Sequence, residues 1–311
     1  MAKILITESV HPIGPELLTA AGHTVVYADR DMDVIRREIV DADAVLVRII
    51  ELPGSLLATA KNLKIVSKHG VGYDNIDLDY CKSHGVAVTI TPNANSLSVA
   101  EHAFTLMLTL AKNIIPVSNE YRTVGFAAKN HAPGIEMTGK TLGLIGMGRI
   151  GKHVLHMCRD GLDMHVIVYD PYISEVPEGV EKVDDLSELL RRADVVTLHC
   201  LLTDETRKLI DRERLALMKP TALLINCARG PIVDETALIE VLENGRLAGA
   251  GLDVTDPEPV APDSPLFKLP NVIVTPHYAP TTVESATRVS KIAAENINAV
   301  LAGKEPVGRI V

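Results

Sequence analysis

The sequence predicts an α/β protein built from two doubly wound parallel-sheet domains, and three observations carry that expectation. Short apolar strands alternate with helical runs along most of the chain, which is the pattern of β-α-β crossovers and therefore of parallel sheets. At 311 residues the chain exceeds the size at which one core usually stops growing, and 47% hydrophobic residues can supply two cores. The stretch Thr141-Leu142-Gly143-Leu144-Ile145-Gly146-Met147-Gly148-Arg149-Ile150-Gly151 then runs an apolar strand through a GxGxxG turn into a helix, so α/β alternation restarts there.

Taken in order, strands are predicted over 3–7, 24–28, 44–48, 64–68 and 86–89, with helices such as 15–21 and 32–39 between them. These make a first sheet domain, flavodoxin-like in layout, up to about residue 97. Ser98 is placed to cap the apolar helix that follows, with Glu101 completing a capping box. The apolar run 103–111 is far shorter than the ~20 residues a bilayer span needs. Residues 113–140 carry Pro116, Gly125, Pro133 and Gly134 and are expected to form an irregular extended arm. Six strands follow in β-α order, the first at 141–145 and the others at 164–169, 194–199, 222–226, 248–253 and 272–275, giving a Rossmann sheet. The last helix, 283–301, carries the apolar stripe Ile292, Ala293, Ile297 and Val300 and should return to the first domain. The expected division is 1–97 with 284–311, and 98–283, with a cleft between them as the ligand site.

Charge and cysteine content exclude several classes. A net charge of -9 leaves no general basic field for nucleic acid or a membrane, so an anionic ligand must be met by a small local cationic site. Residues 1–8 read as a first strand and not as a signal peptide, having no cleavage-like small-residue site. Cys81, Cys158, Cys200 and Cys227 have no CxxC spacing and sit in apolar contexts, which points to reduced thiols in a cytoplasmic protein and to no metal site.

The glycine turn is a dinucleotide signature. Gly146 makes the tight turn, Gly148 lets backbone approach a pyrophosphate, and Gly151 allows close helix-to-strand packing, while free N–H groups at the helix start face the phosphates. The next strand ends at Asp170, 19 positions after Gly151, where a carboxylate can bind ribose hydroxyls and repel the 2′-phosphate of NADP. Asp170 is also suited to capping the turn that starts at Pro171. NAD is the expected cofactor. Arg229, at the end of the 222–226 strand, has the planar fork to hold a carboxylate bidentately. Glu258 lies between Pro257 and Pro259, and His277 follows the last strand. Singly these are an ordinary surface arginine, a solvated loop acid and a strand-end histidine. Together they suit interconversion of a 2-hydroxy acid and a 2-oxo acid: the arginine fixes the carboxylate, the histidine handles the hydroxyl proton, and Glu258 favours the charged imidazole.

These motifs, with Asn226-Cys227-Ala228-Arg229-Gly230, Gly251-Leu252-Asp253-Val254, Thr275-Pro276-His277, Gly70-Val71-Gly72-Tyr73-Asp74-Asn75 and Ser98-Val99-Ala100-Glu101-His102, resemble the D-isomer-specific 2-hydroxyacid dehydrogenases over essentially the whole chain. The likeness is strongest to phosphoglycerate dehydrogenases and hydroxypyruvate reductases. It implies Arg229, Glu258 and His277 as the catalytic triad, cofactor contacts at Arg149, Ile150, Asp170, Cys200, Cys227, Asp253 and His277, and substrate carboxylate binding by backbone around Gly70, Val71 and Gly72. It also implies a homodimer formed through the 113–140 arm, domains that close on the substrate, and cationic contacts to a distal phosphate from Arg48 and Lys68 at the ends of adjacent strands. His69, beside that loop, is either wall or ligand. The chain departs from the family in Tyr278-Ala279-Pro280 after the histidine, which reshapes the cleft wall, and in Leu201 where proline is usual. No regulatory domain follows Val311, so feedback control by serine is not expected. A 3-phosphoglycerate dehydrogenase-like activity is the first functional reading and a hydroxypyruvate or glyoxylate reductase the second. An NAD(H)-sensing corepressor-like binding protein is the alternative from another class.

Overall fold

The computed structural model describes residues 1–130 and 132–311, which fall into two compact units, Met1–Asn95 with Thr281–Val311, and Ser96–Pro280. The joints expected at 97/98 and 283/284 stand beside observed ones at 95/96 and 280/281.

In the first unit five short strands, β1 (Lys3–Ile6), β2 (Thr24–Tyr27), β3 (Ala44–Val47), β4 (Ile65–Lys68) and β5 (Ala87–Thr89), pair in parallel in the order β2-β1-β3-β4-β5. This is the flavodoxin order, with the direction of winding reversed between β1 and β3. Strand alternation sends Ile4 and Ile6 to one face and Leu5 to the other. On the first face they meet Ala293, Ala294 and Ile297 of the Val283–Leu301 helix, and on the second Leu5 joins Ile35 and Ile39. Of the expected stripe on that last helix, Ala293 and Ile297 are fully buried, while Val300 packs at the margin.

The second unit carries seven parallel strands, one more than the sequence reading expected. They are β6 (Thr141–Ile145), β7 (His165–Tyr169), β8 (Val180–Lys182), β9 (Val195–Leu198), β10 (Leu223–Asn226), β11 (Gly249–Leu252) and β12 (Val272–Val274), in the order β12-β11-β10-β9-β6-β7-β8. The extra strand, β8, is a three-residue edge strand too short and polar to show a periodicity. Winding reverses between β6 and β9, so a crevice opens at the carboxyl ends of those two strands, where ligands of such sheets bind.

Two local expectations are corrected. The helix expected to start after Ser98 begins at Ser96 and runs to Ala111, so Ser98 is its third residue and not its N-cap. The arm expected to be irregular holds an α-helix, Ile114–Val124, followed by a 3-10 stretch, Gly125–Asn130. Pro116 is its third residue, within the first turn, where a missing N–H costs no intrahelical hydrogen bond. Among the described residues no helix is long and apolar enough to cross a membrane.

Candidate active site

The dinucleotide turn sits at the carboxyl end of β6. A side chain on Gly146 would strike the His199–Cys200 backbone at 2.8 Å, and one on Gly151 would strike the Gly146 carbonyl at 2.2 Å, so this strand, turn and helix pack as closely as only glycine allows. Gly148 differs: a Cβ there meets nothing within 4 Å. The Arg149–Leu162 helix that follows has Gly148 at its N-cap and no side-chain capping bond, which leaves its first N–H groups available to an anion. Open space beside uncapped amides, behind a turn with no room for side chains, fits a pyrophosphate. Asp170 does two things at the end of β7: Oδ2 accepts the Met147 amide at 2.9 Å and Oδ1 accepts the Tyr172 amide at 3.0 Å. It therefore ties the glycine turn to the next loop, and it caps the turn after Pro171 as well.

Arg229 follows β10. The buried Asn226 accepts the Ala228 amide at 3.0 Å and donates to the Arg229 carbonyl at 2.9 Å, which closes the backbone of this corner, and Arg229 donates to the Ala228 carbonyl at 2.8 Å. Gly230 comes so close to the loop after β11 that a Cβ would lie 1.9 Å from the Thr255 carbonyl. That contact sets the arginine corner against the segment carrying Glu258. His277 stands just beyond β12 with φ 52°, in the left-handed region that a non-glycine residue enters only when its surroundings hold it there. Its ring Nδ1 lies 2.6 Å from Glu258 Oε1. A carboxylate in that position accepts the Nδ1 proton, which leaves Nε2 as the nitrogen that exchanges a proton with a ligand. Arg229, Glu258 and His277 thus come from the ends of three adjacent strands of one sheet.

Cys227 is buried and burial raises its thiol well above the usual range, while burial lifts the Cys200 thiol to about 11. Both expected cofactor neighbours are therefore neutral. Asp253, also expected at the cofactor, has its carboxylate engaged within the chain: Oδ1 accepts from Thr275 Oγ1 at 2.6 Å and the Tyr278 amide at 2.7 Å, and Oδ2 accepts the Ala279 amide at 2.9 Å.

In the first unit Arg48, Lys68, His69 and Gly70 lie at the carboxyl ends of β3 and β4, and Gly70 accepts from the Thr91 amide at 2.9 Å. Lys68 is almost fully buried, and its Nζ donates to the Arg48 carbonyl and, at 2.6 Å, to Asn75 Oδ1. The Arg48-Ile49-Ile50 turn is also held from its amide side, because the buried Glu8 carboxylate accepts the Arg48 amide at 2.7 Å and the Ile49 amide at 2.9 Å. The expected pair of distal cations thus divides in two: Lys68 grips the turn, whereas the half-buried Arg48, carried on that turn, donates Nη1–H to the Ser9 carbonyl at 2.9 Å. Glu8 carries no sequence signal beyond being a lone acid directly after an apolar strand, and Asn75 ends the 70–75 motif without a role that the sequence assigns.

Burial, with the Arg48 charge beside it, pushes His69 down to about 3, and burial alone pushes His199 to about 3. Among the described residues His69 Nε2 and His199 Nδ1 have no partner. Both rings stay neutral in the folded chain, whereas in the unfolded chain each takes up a proton near its model value of 6.5. The unfolded state binds more protons below that pH, so the folded state is expected to lose up to about 1.4 kcal/mol per pH unit per ring between pH ~6.5 and ~3. Thermal unfolding against pH checks this: His199→Gln should flatten the acid limb, and an unchanged slope would rule His199 out as its source.

The family model for the D-isomer specific 2-hydroxyacid dehydrogenase NAD binding domain matches residues 104–279. The chain belongs to the D-isomer-specific 2-hydroxyacid dehydrogenases. Within that family it is 42% identical, over 98% of its own length, to a D-3-phosphoglycerate dehydrogenase of Methanocaldococcus jannaschii, of which it spans 58%. It is 37% identical to a glyoxylate reductase of Thermofilum pendens, with 98% of this chain and 93% of the relative covered. A crystal structure of a Thermus thermophilus protein superposes with a TM-score of 0.91 at 35% identity, covering 99% of this chain and all of that one. The dinucleotide turn, Asp170 and the Arg229, Glu258 and His277 cluster all fall inside the segment that the family's NAD-binding model covers.

Proposed function

We propose that the chain is an NAD-dependent D-2-hydroxyacid dehydrogenase, which interconverts a 2-oxo acid and a 2-hydroxy acid. The observation that carries this reading is His277 held 2.6 Å from Glu258 on the sheet whose carboxyl edge also bears Arg229 and the glycine turn. Arg229 binds the substrate carboxylate. In reduction His277 gives its Nε2 proton to the carbonyl oxygen, and in oxidation it takes the proton back from the hydroxyl; Glu258 holds the ring in place through Nδ1. When bound, the nicotinamide supplies or accepts the hydride at the substrate C2.

A second anionic group on the substrate, as in a 3-phosphoglycerate-type acid, is supported by Arg48, which Glu8 and Lys68 fix by its backbone. The reading as a hydroxypyruvate or glyoxylate reductase is favoured by one observation, that Lys68 is buried and occupied with Arg48 and Asn75, which leaves one distal cation where two were expected. The test compares 3-phosphohydroxypyruvate, 2-oxoglutarate, hydroxypyruvate and glyoxylate as oxidants of NADH. Arg48→Ala is expected to lower kcat/KM roughly 10- to 100-fold for the doubly anionic acids alone, as loss of a charge-assisted contact implies. A parent that prefers glyoxylate, with Arg48→Ala unchanged, moves the assignment to the reductase.

Reduced thiols and a cytoplasmic location are supported by four cysteines without a disulfide. A homodimer through the arm is supported by the Ile114–Val124 helix, which buries none of its own residues and, with the stretch after it, exposes Ile114, Ile115, Tyr121, Val124 and Phe126. Light scattering is expected to give twice the 33.6 kDa chain mass for the parent and the single mass for Phe126→Asp. A monomeric parent overturns it.

A further inference from the structure

The segment Ser98 to His102 is a distinctive run of the sequence that the reading above leaves without a task. His102 lies on the Ser96–Ala111 helix, its side chain largely buried, with Nε2 at 3.0 Å from Thr275 Oγ1 and 3.5 Å from Asp253 Oδ1. Its ring meets the Tyr278 ring edge-on, with centroids 6.1 Å apart.

Proton bookkeeping fixes the direction of these bonds. The Thr275 hydroxyl has a single proton, and the acceptor-only carboxylate 2.6 Å away receives it. Toward His102 the same oxygen can only accept, so Nε2 carries a proton and donates it. A protonated nitrogen 3.5 Å from Asp253 Oδ1 also adds a favourable electrostatic contact to a carboxylate that is 1% exposed.

What this group holds is the backbone of the catalytic corner. The amides of three successive residues all end on Asp253: His277 donates to its main-chain carbonyl at 2.8 Å, Tyr278 to Oδ1 at 2.7 Å and Ala279 to Oδ2 at 2.9 Å. These bonds wrap the chain around one buried acid and hold His277 at φ 52°, from which its ring reaches Glu258. Asp253 and Thr275 flank the corner along the sheet, whereas His102 reaches it from a helix packed on β10 and β11.

We propose that His102 is a positioning residue for His277: by donating Nε2–H to Thr275 beside the Asp253 carboxylate, it locks the three-amide anchor that sets the catalytic imidazole against Glu258. The proposal rests on the dehydrogenase reading for the role of His277, but the anchor itself is measurable without turnover. The variants are His102→Leu, which removes the donor, and His102→Gln, which returns an N–H at similar reach. Three readouts are taken on the full chain: kcat and KM with the best 2-oxo acid, NADH affinity by fluorescence titration, and amide exchange at Tyr278 and Ala279.

In His102→Leu we expect kcat to fall roughly 10- to 100-fold, the effect of displacing a catalytic group by about 1 Å, with NADH affinity within about twofold of the parent. Exchange at Tyr278 and Ala279 should rise roughly tenfold or more, while the β6 amides keep their protection. His102→Gln should recover most of both. Parent-like kcat and exchange in His102→Leu overturn the proposal, as does His102→Gln behaving like His102→Leu, or protection lost equally in β6. If His102→Leu does not fold, Thr275→Val against Thr275→Ser makes the same comparison from the other end of the bond. A parent that binds NADH but reduces no 2-oxo acid overturns the dehydrogenase reading, and the exchange data still decide the anchor.

Discussion

Replacing His277 with alanine is expected to lower kcat for 2-oxo acid reduction by roughly 10²- to 10⁴-fold, the usual span for loss of a positioned general acid or base. Glu258 lies 2.6 Å from Nδ1, so in the proposed mechanism Nε2 is the nitrogen that delivers the proton. Glu258 variants separate its two tasks. Glu258→Gln keeps an oxygen that can accept Nδ1–H and loses the charge; Glu258→Ala loses both orientation and charge. The expected order of loss is therefore His277→Ala at least as large as Glu258→Ala, and Glu258→Ala larger than Glu258→Gln. Single-turnover rates with deuterated NADH check this, because an isotope effect that grows along the series places the loss in the chemical step. A His277→Ala enzyme within about tenfold of the parent would remove His277 from the proton transfer.

The second large effect concerns the choice of dinucleotide. The parent is expected to prefer NADH over NADPH by roughly 10²-fold or more in kcat/KM, since a like-charge contact costs several kcal/mol and each 1.4 kcal/mol is about tenfold. Asp170 supplies the charge, and Pro171 and Tyr172 provide no compensating arginine. The structure adds a consequence that charge alone does not. Because Asp170 accepts both the Met147 amide of the glycine turn and the Tyr172 amide, Asp170→Ala is expected to untie the turn proposed to hold the cofactor's phosphates as well as removing the repulsion. The gap should narrow mainly through poorer use of NADH. Asp170→Asn, which keeps one acceptor oxygen, should hold NADH better than Asp170→Ala does. Comparable efficiencies of the parent with the two cofactors would sink the assignment, and a gap closed wholly by better NADPH use would sink the loop-tying role.

By itself the sequence determined the features that depend on local pattern. Apolar strands spaced by helices predict parallel sheets because burial repeats with a fixed period along each element, and all five strands of the first sheet fall within the ranges read that way. The glycine turn was legible because close backbone approach demands glycine at those positions, and Arg229, Glu258 and His277 stood out because their residue types suit one chemistry at strand ends. Elements with weak local signals were not legible: the three-residue β8, and the Ile114–Val124 helix, whose Pro116 reads as a breaker until its place in the first turn is known. The tertiary structure alone decided which polar groups are occupied. Lys68 and Arg48 look alike in sequence, yet the carbonyl and side-chain amide that surround Lys68 turn it into a buried clamp, while Arg48 stays half-buried against the Ser9 carbonyl. Asp253 reads as a ligand contact and is found wrapped by three amides, and His102, though part of a recognisable motif, has no sequence signal that points to Thr275, 173 positions away. The reason is physical: burial period and turn geometry are properties of neighbouring residues, whereas a hydrogen-bond partner is chosen by whichever group packing brings within about 3 Å.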